Sequence, residues 1–257
     1  MALSDNCIHY WKFDGDATDS VGSNDGSVSA ATLTTGKINQ GYDFNGGSSY
    51  IDFGTNGDFS IGTGSGDTGF SISLWINIDS ITRCRIISKG NTTTRDYAFY
   101  TGTGGTLTWQ LWDGGSTNYI YVDAGSMSSY VGSWTHLVAT YDGNNLNTGM
   151  KIYINGSEAS VTRSSGGTYA GSTDSGLSFE IGRYLKTASY ANAQIDEVGV
   201  WNREITSSEV TSLYNSGDGL QYPFGGSSGW TGTINGTSNP SKVSGIAVAN
   251  ISKINGI

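Results

Sequence analysis

The strongest constraint on the fold is an alternation of apolar and polar residues that recurs along most of the chain. In the segment 70–78, Phe-Ser-Ile-Ser-Leu-Trp-Ile-Asn-Ile, every second residue is a large apolar one. A repeat of two residues is typical of a β-strand with one face in a core. The segments 134–141 and 150–156 show the same pattern, and the Asp-Gly-Asn sequence that follows the first of them predicts a hairpin.

The same pattern predicts further short strands separated by turn residues. They are 8–13, 41–44, 50–53, 85–88, 97–101, 106–112, 119–123, 177–182 and 193–201. Many short strands at this spacing indicate an all-β sandwich, and the 39 glycines of the chain supply its turns.

One segment predicts an α-helix. Thr206-Ser-Ser-Glu209 is a capping box, in which the threonine hydroxyl and the glutamate carboxylate each accept a hydrogen bond from a backbone N–H that the helix leaves unpaired. Val210, Leu213 and Tyr214 follow at helical spacing and give the helix one apolar face.

The charge of the chain excludes one class of partner. It has 22 acidic and 13 basic residues and a net charge of −9. An acidic protein is repelled by a phosphate backbone, so we expect no nucleic-acid binding. No apolar run approaches the length of about 18 residues that a membrane span needs, and the N-terminus lacks the pattern of an export signal, so we expect neither membrane insertion nor a cleaved leader. Cys7 and Cys84 are interpreted as two free thiols rather than one disulfide.

The composition changes after Phe224. The only charged residues of 225–257 are Lys242 and Lys253, and the hexapeptide at 241–246 returns in similar form at 252–257. We interpret residues 1–222 as one domain and residues 223–257 as a repetitive, β-rich C-terminal tail. An isolated hairpin is only marginally stable in water, so we predict that the tail anchors or oligomerises the protein. Its composition resembles the Asn-Gly-rich ends of tailed-bacteriophage structural proteins.

A series of short motifs in a fixed order carries a resemblance to a known family. They are Tyr42-Asp-Phe-Asn-Gly46 leading to Tyr50-Ile-Asp52, Phe70-Ser-Ile-Ser-Leu-Trp75, Ser133-Trp-Thr-His-Leu-Val-Ala-Thr-Tyr-Asp-Gly143, Lys151-Ile-Tyr-Ile-Asn-Gly156, Phe179-Glu-Ile-Gly182 and Ile195-Asp-Glu-Val-Gly-Val-Trp-Asn-Arg203. Through them, residues 8–219 resemble the laminin-G-like domains of the concanavalin A-like lectin/glucanase superfamily. The resemblance implies a jelly-roll sandwich of two curved antiparallel sheets, with the first strand paired beside the last and the tail as a short β extension.

The catalytic pair of the glucanase branch is not found at the matching place. That branch carries two glutamates flanking an aspartate on one strand, so that acid and nucleophile project to the same face. Here Asp196 and Glu197 are adjacent, with no second glutamate after them, and alternation predicts that they project to opposite faces. The two histidines, His9 and His136, lie inside predicted strands without a neighbouring nucleophile, which favours structural roles. We therefore predict that the protein is not an enzyme.

A structural calcium site is predicted from the resemblance. The loop 14–26 contains many side chains whose oxygen atoms can ligate a cation, with glycines between them. In related laminin-G-like domains this early loop and the aspartate of the last strand bind a calcium ion together. Carried over to this sequence, the ligands would be Asp14, Asp19 and Asn24 from the loop and Asp196 from the strand. The alternative is turn chemistry, in which each side chain bonds its own backbone.

Glycan binding is the common activity of the family, and it uses aromatic rings and planar polar groups on a concave sheet or on rim loops. The main candidates in this chain are Arg95, Tyr97, Trp109, Trp112 and Tyr184. Tyr100 and Tyr119 are further candidates. Most of them alternate along predicted strands, so core packing is the alternative explanation.

Two functions remain open at this point. The first is a non-enzymatic virion surface protein of a tailed bacteriophage, in a tail, a fibre or a capsid decoration. In it the sandwich binds host-surface glycan or decorates the particle, the tail contacts other virion proteins, and the protein is a homo-oligomer. The second is a carbohydrate-binding or adhesion domain of a bacterial cell-surface protein, located outside the cell.

Overall fold

The computed structural model describes residues 1–62, 66–173 and 176–224, together with the short strand segments 233–234, 237–238, 242–243 and 246–247. The chain divides into two compact units, Met1–Gln221 and Tyr222–Ile257. The boundary predicted from the sequence, between residues 222 and 223, lies next to this division.

The first unit consists mainly of short strands, as the alternation predicts. They are β1 (Cys7–Trp11), β2 (Ser27–Ser29), β3 (Thr32–Thr35), β4 (Gln40–Asn45), β5 (Tyr50–Asp52), β6 (Phe70–Ile78), β7 (Arg85–Gly90), β8 (Arg95–Thr101), β9 (Thr106–Trp112), β10 (Tyr119–Ser126), β11 (Trp134–Tyr141), β12 (Met150–Ile154), β13 (Ser157–Glu158), β14 (Thr162–Gly166), β15 (Phe179–Ile181) and β16 (Asn192–Trp201). The helix α1 (Ser207–Tyr214) follows β16, and 3-10 helices lie at Gly57–Phe59, Ser128–Tyr130, Asn147–Gly149 and Asn215–Gly217.

The strands form two antiparallel sheets of eight strands each. Sheet A has the order β13-β12-β11-β6-β16-β4-β3, with β1 paired to β16, and sheet B has the order β14-β10-β9-β8-β7-β15-β5-β2. β11 and β12 form the predicted hairpin, and the first strand lies beside β16, the last strand of the sandwich. The prediction of an all-β sandwich of two antiparallel sheets is therefore confirmed.

The core lies between the two sheets and contains the side chains that the alternation assigned to the buried face. In β6 these are Phe70, Ile72, Leu74, Ile76 and Ile78, each at most 1% exposed. Stacked rings fill one end of the core, where the Phe59 and Phe179 centroids are 4.4 Å apart and Trp11 lies 4.2 Å from Phe53. Each buried side chain of this size contributes about 1.5–3 kcal/mol, so this layer holds the sheets together.

The helix α1 begins at the predicted capping box. Thr206 Oγ1 accepts from the backbone N–H of Glu209 at 3.3 Å, and the Glu209 carboxylate accepts from the backbone N–H of Thr206 at 2.8 Å. The guanidinium of Arg203 donates to both oxygens of Glu209 and to the backbone carbonyls of Ala2 and Asp5. This arginine therefore joins the N-terminal segment to the helix. Tyr214 packs on Trp75, so α1 covers part of the outer face of sheet A.

The histidine of β11 is buried on the side of sheet A that α1 covers. His136 is 1% exposed, and its Nε2 lies 2.9 Å from the Ser73 hydroxyl. Burial lowers the pKa of His136 to about 3. Because this folded-state pKa lies below the ordinary value of about 6.5, the unfolded chain binds a proton that the folded chain rejects, and stability is lost as the pH falls from 6.5 towards 3.

The substitution His136→Asn should remove this part of the pH dependence of stability. On lowering the pH from 7 to 4, we expect the free energy of unfolding to fall by as much as about 3 kcal/mol more in the wild type than in His136→Asn. Urea unfolding at the two pH values measures the difference. The same pH dependence in both proteins would contradict it.

Both cysteines are buried and free, which confirms the interpretation of two thiols. Burial raises the pKa of Cys7 and of Cys84 to about 12, so neither is a reactive thiolate at neutral pH.

The second unit contains paired two-residue strands. β17 (Thr233–Ile234) pairs with β18 (Thr237–Ser238), and β19 (Lys242–Val243) pairs with β20 (Ile246–Ala247). The second copy of the repeat, 252–257, lies outside the described residues, and anchoring or oligomerisation through the tail stays a prediction. No helix in the described part of the chain is long and apolar enough to cross a membrane.

Candidate functional site

The outer face of sheet B brings aromatic and planar polar side chains together. In β8, Tyr97 and Phe99 point into the core, so the alternate residues Ala98 and Tyr100 point outwards. The register places Arg85 opposite Tyr100 and Tyr100 opposite Thr108. Tyr184, from the loop after β15, packs edge-to-face on Tyr100 with the centroids 5.3 Å apart.

An arginine is stacked against this tyrosine pair. The guanidinium carbon of Arg85 lies 4.3 Å from the ring centroid of Tyr184 and 5.0 Å from that of Tyr100. Its Nε donates to the Ser189 hydroxyl at 3.0 Å, and the Tyr100 hydroxyl donates to Gln110 Oε1 at 2.8 Å. These contacts fix the orientation of the rings. A sugar ring stacks on such surfaces through its C–H faces and bonds planar polar groups beside them.

A second arginine lies along the same face. The guanidinium of Arg95 lies 5.8 Å from the ring of Trp112, and the register places Trp112 opposite Tyr119. We call the five residues Arg85, Arg95, Tyr100, Trp112 and Tyr184 the aromatic face. A separate cavity of about 500 Å³ is lined by residues of β9, β10 and β14, among them Asp123, and by none of these five residues.

The structure places three of the five predicted glycan-binding residues on this face and two elsewhere. Arg95 and Tyr184 are partly exposed, and Trp112 is 2% exposed beneath Arg95. The prediction was wrong for Tyr97 and Trp109, which are fully buried in the core because alternation turns them inwards. Arg85 and Gln110 were missed. Their strands had been predicted, but only the register shows that they lie beside Tyr100.

A second group of predicted residues lies where β16 changes partner. The first half of β16 pairs with β4 and the second half with β1. The ladder to β6 is irregular between Asp196 and Gly199, and Glu197 has a φ of +51°. A bulge of this kind interrupts alternation, so the sequence argument that separates the Asp196 and Glu197 side chains does not hold at this point.

These carboxylates form a cluster with Asp14. Gln221 Nε2 donates to Glu197 Oε1 at 2.5 Å and to Asp14 Oδ2 at 2.9 Å, and the Tyr10 hydroxyl donates to Glu197 Oε2 at 2.5 Å. Burial, with the charges of nearby carboxylates, raises the pKa of Asp196 to about 7 and that of Glu197 to about 8. We call Asp14, Asp196 and Glu197 the carboxylate cluster.

The four predicted calcium ligands are therefore divided between two places. Asp14 and Asp196 lie in the carboxylate cluster. Asp19 instead accepts hydrogen bonds from the backbone N–H groups of Tyr10, Val21, Gly22 and Asn24 and lies 2.6 Å from His9 Nδ1. Although burial acts in the opposite direction, these bonds lower the pKa of Asp19 to about 2.

The Asn24 side chain is engaged outside the loop, because its amide donates to the Phe53 carbonyl at 3.1 Å. Turn chemistry therefore accounts for Asp19 but not for the side chain of Asn24. Within residues 1–62, 66–173 and 176–224, no group of three or more His, Cys, Asp or Glu side chains has the geometry to hold a metal ion. Calcium stays a prediction, with Asp14 and Asp196 as the ligands that the structure brings together.

Comparison with known proteins supports the fold. The family model Laminin_G_3, of the concanavalin A-like lectin/glucanases superfamily, matches residues 45–211. No curated protein sequence matches the chain significantly. Domain 4 of AbnA, a GH43 extracellular arabinanase from Geobacillus stearothermophilus in complex with arabinotriose, has a TM-score of 0.60 and 23% identity over 81% of this chain and 98% of that domain.

Two toxin domains are similarly close in fold. The binding domain of Paraclostridial Mosquitocidal Protein 1 has a TM-score of 0.62 and 19% identity over 84% of this chain and 53% of its own. The ligand binding domain of botulinum neurotoxin serotype D, in complex with N-acetylneuraminic acid, has a TM-score of 0.59 and 17% identity over 82% of this chain and 51% of its own. The chain thus spans about half the length of these toxin domains.

Proposed function

Because the chain belongs to the concanavalin A-like lectin/glucanase superfamily, through its Laminin_G_3 domain, we propose that it is a non-catalytic carbohydrate-binding module. Its sugar site is the aromatic face of sheet B. One observation carries the proposal, namely the pair of partly exposed tyrosines, Tyr100 and Tyr184, held edge-to-face with the Arg85 guanidinium stacked against both.

This arrangement has the features of a sugar-binding surface. The tyrosine rings give a rigid apolar area, and fixed rings lose little conformational entropy when a ligand binds. Gln110 and the arginines supply planar hydrogen-bonding groups beside the rings. The domain of the arabinanase and the toxin domain named above were solved with arabinotriose and N-acetylneuraminic acid, respectively, which agrees with a sugar-binding role for this fold.

A glycan array with the full chain tests the proposal. We expect binding to at least one oligosaccharide, and Tyr184→Ala to weaken it about tenfold, since truncating a central aromatic residue of an interface costs more than 1 kcal/mol. Tyr214→Ala removes a tyrosine from α1, on sheet A, and is the matched control with unchanged affinity. The proposal fails if no oligosaccharide binds, or if both variants lose affinity equally.

A second, more specific proposal concerns the particle to which the tail attaches this module. The tail contains Val243, Ile246, Val248, Ile251, Ile254 and Ile257 within a short segment. Side chains of this kind gain about 25 cal/mol per Å² when they leave water, which favours association with equivalent segments. We propose that the tail joins the module to a tailed-bacteriophage virion as a homo-oligomer; a bacterial cell surface is the alternative.

Two measurements test the attachment. Replacing four of the tail isoleucines, 246, 251, 254 and 257, with serine in the full chain is expected to convert an oligomer into a monomer in light scattering. Immunogold electron microscopy locates the wild-type protein on virions or on the cell surface. A monomeric wild type that is found on neither would remove the proposed role of the tail.

Calcium binding at the carboxylate cluster is the remaining proposal. Burial together with neighbouring carboxylates raises the pKa of Asp196, so a cation that joins Asp14 and Asp196 would relieve the repulsion there. We expect calcium at 100 times its dissociation constant to stabilise the protein by about 2.7 kcal/mol. Thermal melts in calcium and in EGTA measure this, and the shift is expected to disappear in Asp196→Asn. Identical melts of the metal-free wild type in both solutions would remove the site.

A further inference from the structure

Two arginines of the aromatic face lack the acidic partner that the most buried cations of the described residues have. Elsewhere these cations pair with carboxylates: Lys89 with Asp96, Arg183 with Glu180, and Arg203 with Glu209. Arg85 and Arg95 have no carboxylate within ion-pair distance in residues 1–62, 66–173 and 176–224. In a chain with a net charge of −9, two cations without acidic partners on one face are unusual.

Both guanidiniums are partly desolvated. Burial lowers the pKa of Arg85, which means that its surroundings disfavour the charge. The rings of Tyr100 and Tyr184 offset part of this cost through cation–π contact. Arg95 stacks on Trp112, and its Nε is buried without a hydrogen-bond partner among the described residues. An anion placed beside these groups would supply the interaction energy that the described residues do not supply.

The charges of Arg85 and Arg95 both affect the pKa of Tyr184. Burial is the larger influence and raises the pKa of Tyr184, but the charges of Arg85 and Arg95 both lower it. The guanidinium of Arg85 lies 4.3 Å from the Tyr184 ring, and that of Arg95 stacks on Trp112 of the same face. A sugar stacked at Tyr184 would therefore lie beside the Arg85 guanidinium and on the same face of sheet B as Arg95.

We propose that the aromatic face selects a glycan that carries an anionic group, a carboxylate or a sulfate, and that Arg85 and Arg95 bind this group. The inference rests on the proposed sugar-binding function and assigns its ligand class. The acidic surface of the protein repels a polyanion at long range, so the ligand is an otherwise neutral oligosaccharide with an isolated acidic residue. The arginine fork matches the geometry of both anions.

Matched oligosaccharides distinguish the possibilities. Lactose, 3′-sialyllactose and 3′-sulfolactose share one neutral core, and arrayed pairs that differ by a single carboxylate or sulfate extend the comparison to other cores. We expect the anionic members of the pairs that bind to bind about tenfold to hundredfold more tightly than the neutral ones. Comparing the sialylated with the sulfated member tells which anion the site prefers.

Two substitutions connect the preference to the named residues. Arg85→Gln and Arg95→Gln are each expected to bring the ratio of affinities for the anionic and the neutral member of a pair close to one, whatever the change in affinity for the neutral member. Lys12→Gln removes one positive charge at the end of β1, away from the aromatic face, and is the control that keeps the preference. Equal affinity for neutral and anionic members would overturn the inference and leave the sugar-binding proposal intact. Binding of no oligosaccharide at all would overturn both.

Discussion

Replacing Lys89 with methionine is expected to lower the free energy of unfolding by about 3–5 kcal/mol, because it leaves a buried carboxylate without its cation. Lys89 Nζ and Asp96 Oδ2 lie 2.5 Å apart, and both side chains are fully buried. Ser172 also donates to Asp96, and Lys89 donates to Ser60 at 3.0 Å. The pair thus connects β7 and β8 to the loops that close this end of the sandwich. Urea unfolding at pH 7 measures the loss.

The pH dependence of this variant identifies the cause. Burial raises the pKa of Asp96 to about 6, even though Lys89 and Ser172 act in the opposite direction. Without Lys89 this pKa rises further, the folded state retains the proton, and stability is lost as the pH rises towards the new value. The variant is therefore expected to lose less at pH 5 than at pH 8. The double variant Lys89→Met with Asp96→Leu removes both charges and should recover most of the stability. A single variant within 1 kcal/mol of the wild type at pH 8 would contradict the argument.

The second large effect is expected at Arg203. Arg203→Ala should lower the free energy of unfolding by about 3 kcal/mol, because Glu209 loses a buried partner and two carbonyls near the N-terminus lose a donor. Burial raises the pKa of Glu209, but the bonds from Arg203 and Thr206 outweigh it and hold the pKa below its usual value. The stabilisation is present above a pH of about 4.5 and is lost as the pH falls below it.

A conservative variant separates charge from geometry at this position. Arg203→Lys keeps the positive charge but cannot reach both oxygens of Glu209 and the two carbonyls at once. We expect it to recover less than half of the loss measured for the alanine variant. Hydrogen exchange of the first residues should increase in both variants. Full recovery by lysine would show that charge alone is needed.

The sequence predicts the interior of the sandwich better than its margins. The four strands that alternation missed are β2, β3, β13 and β14, and these are the edges of the two sheets. Their side chains are mainly Ser, Thr and other polar residues, and most are exposed. An edge strand that repels further pairing must be polar on both faces, which removes the periodicity that identifies a strand.

The sequence predicted several residues of the candidate site, but not how the strands bring them together. The alternation of Tyr97 and Phe99 already contains the information that Tyr97 faces the core and Tyr100 does not. The register that brings Arg85 beside Tyr100 depends on pairing between strands, which one sequence does not show. The bulge at Glu197 also leaves no local signal, because a glutamate with a positive φ is held there by its neighbours rather than by its own preference.

The partner change of β16 also determines when this protein can fold during its own synthesis. The strands β7, β8 and β9 each pair with the next strand in the chain, so this part of sheet B can form as soon as β10 leaves the ribosome. β1 leaves first but pairs Cys7 with Trp201, so it waits for almost the whole sandwich to be translated. Contacts between such distant residues form slowly. Until β16 is made, the apolar side chains of β1 remain without their sheet, and a nascent chain stalled before residue 192 cannot close sheet A.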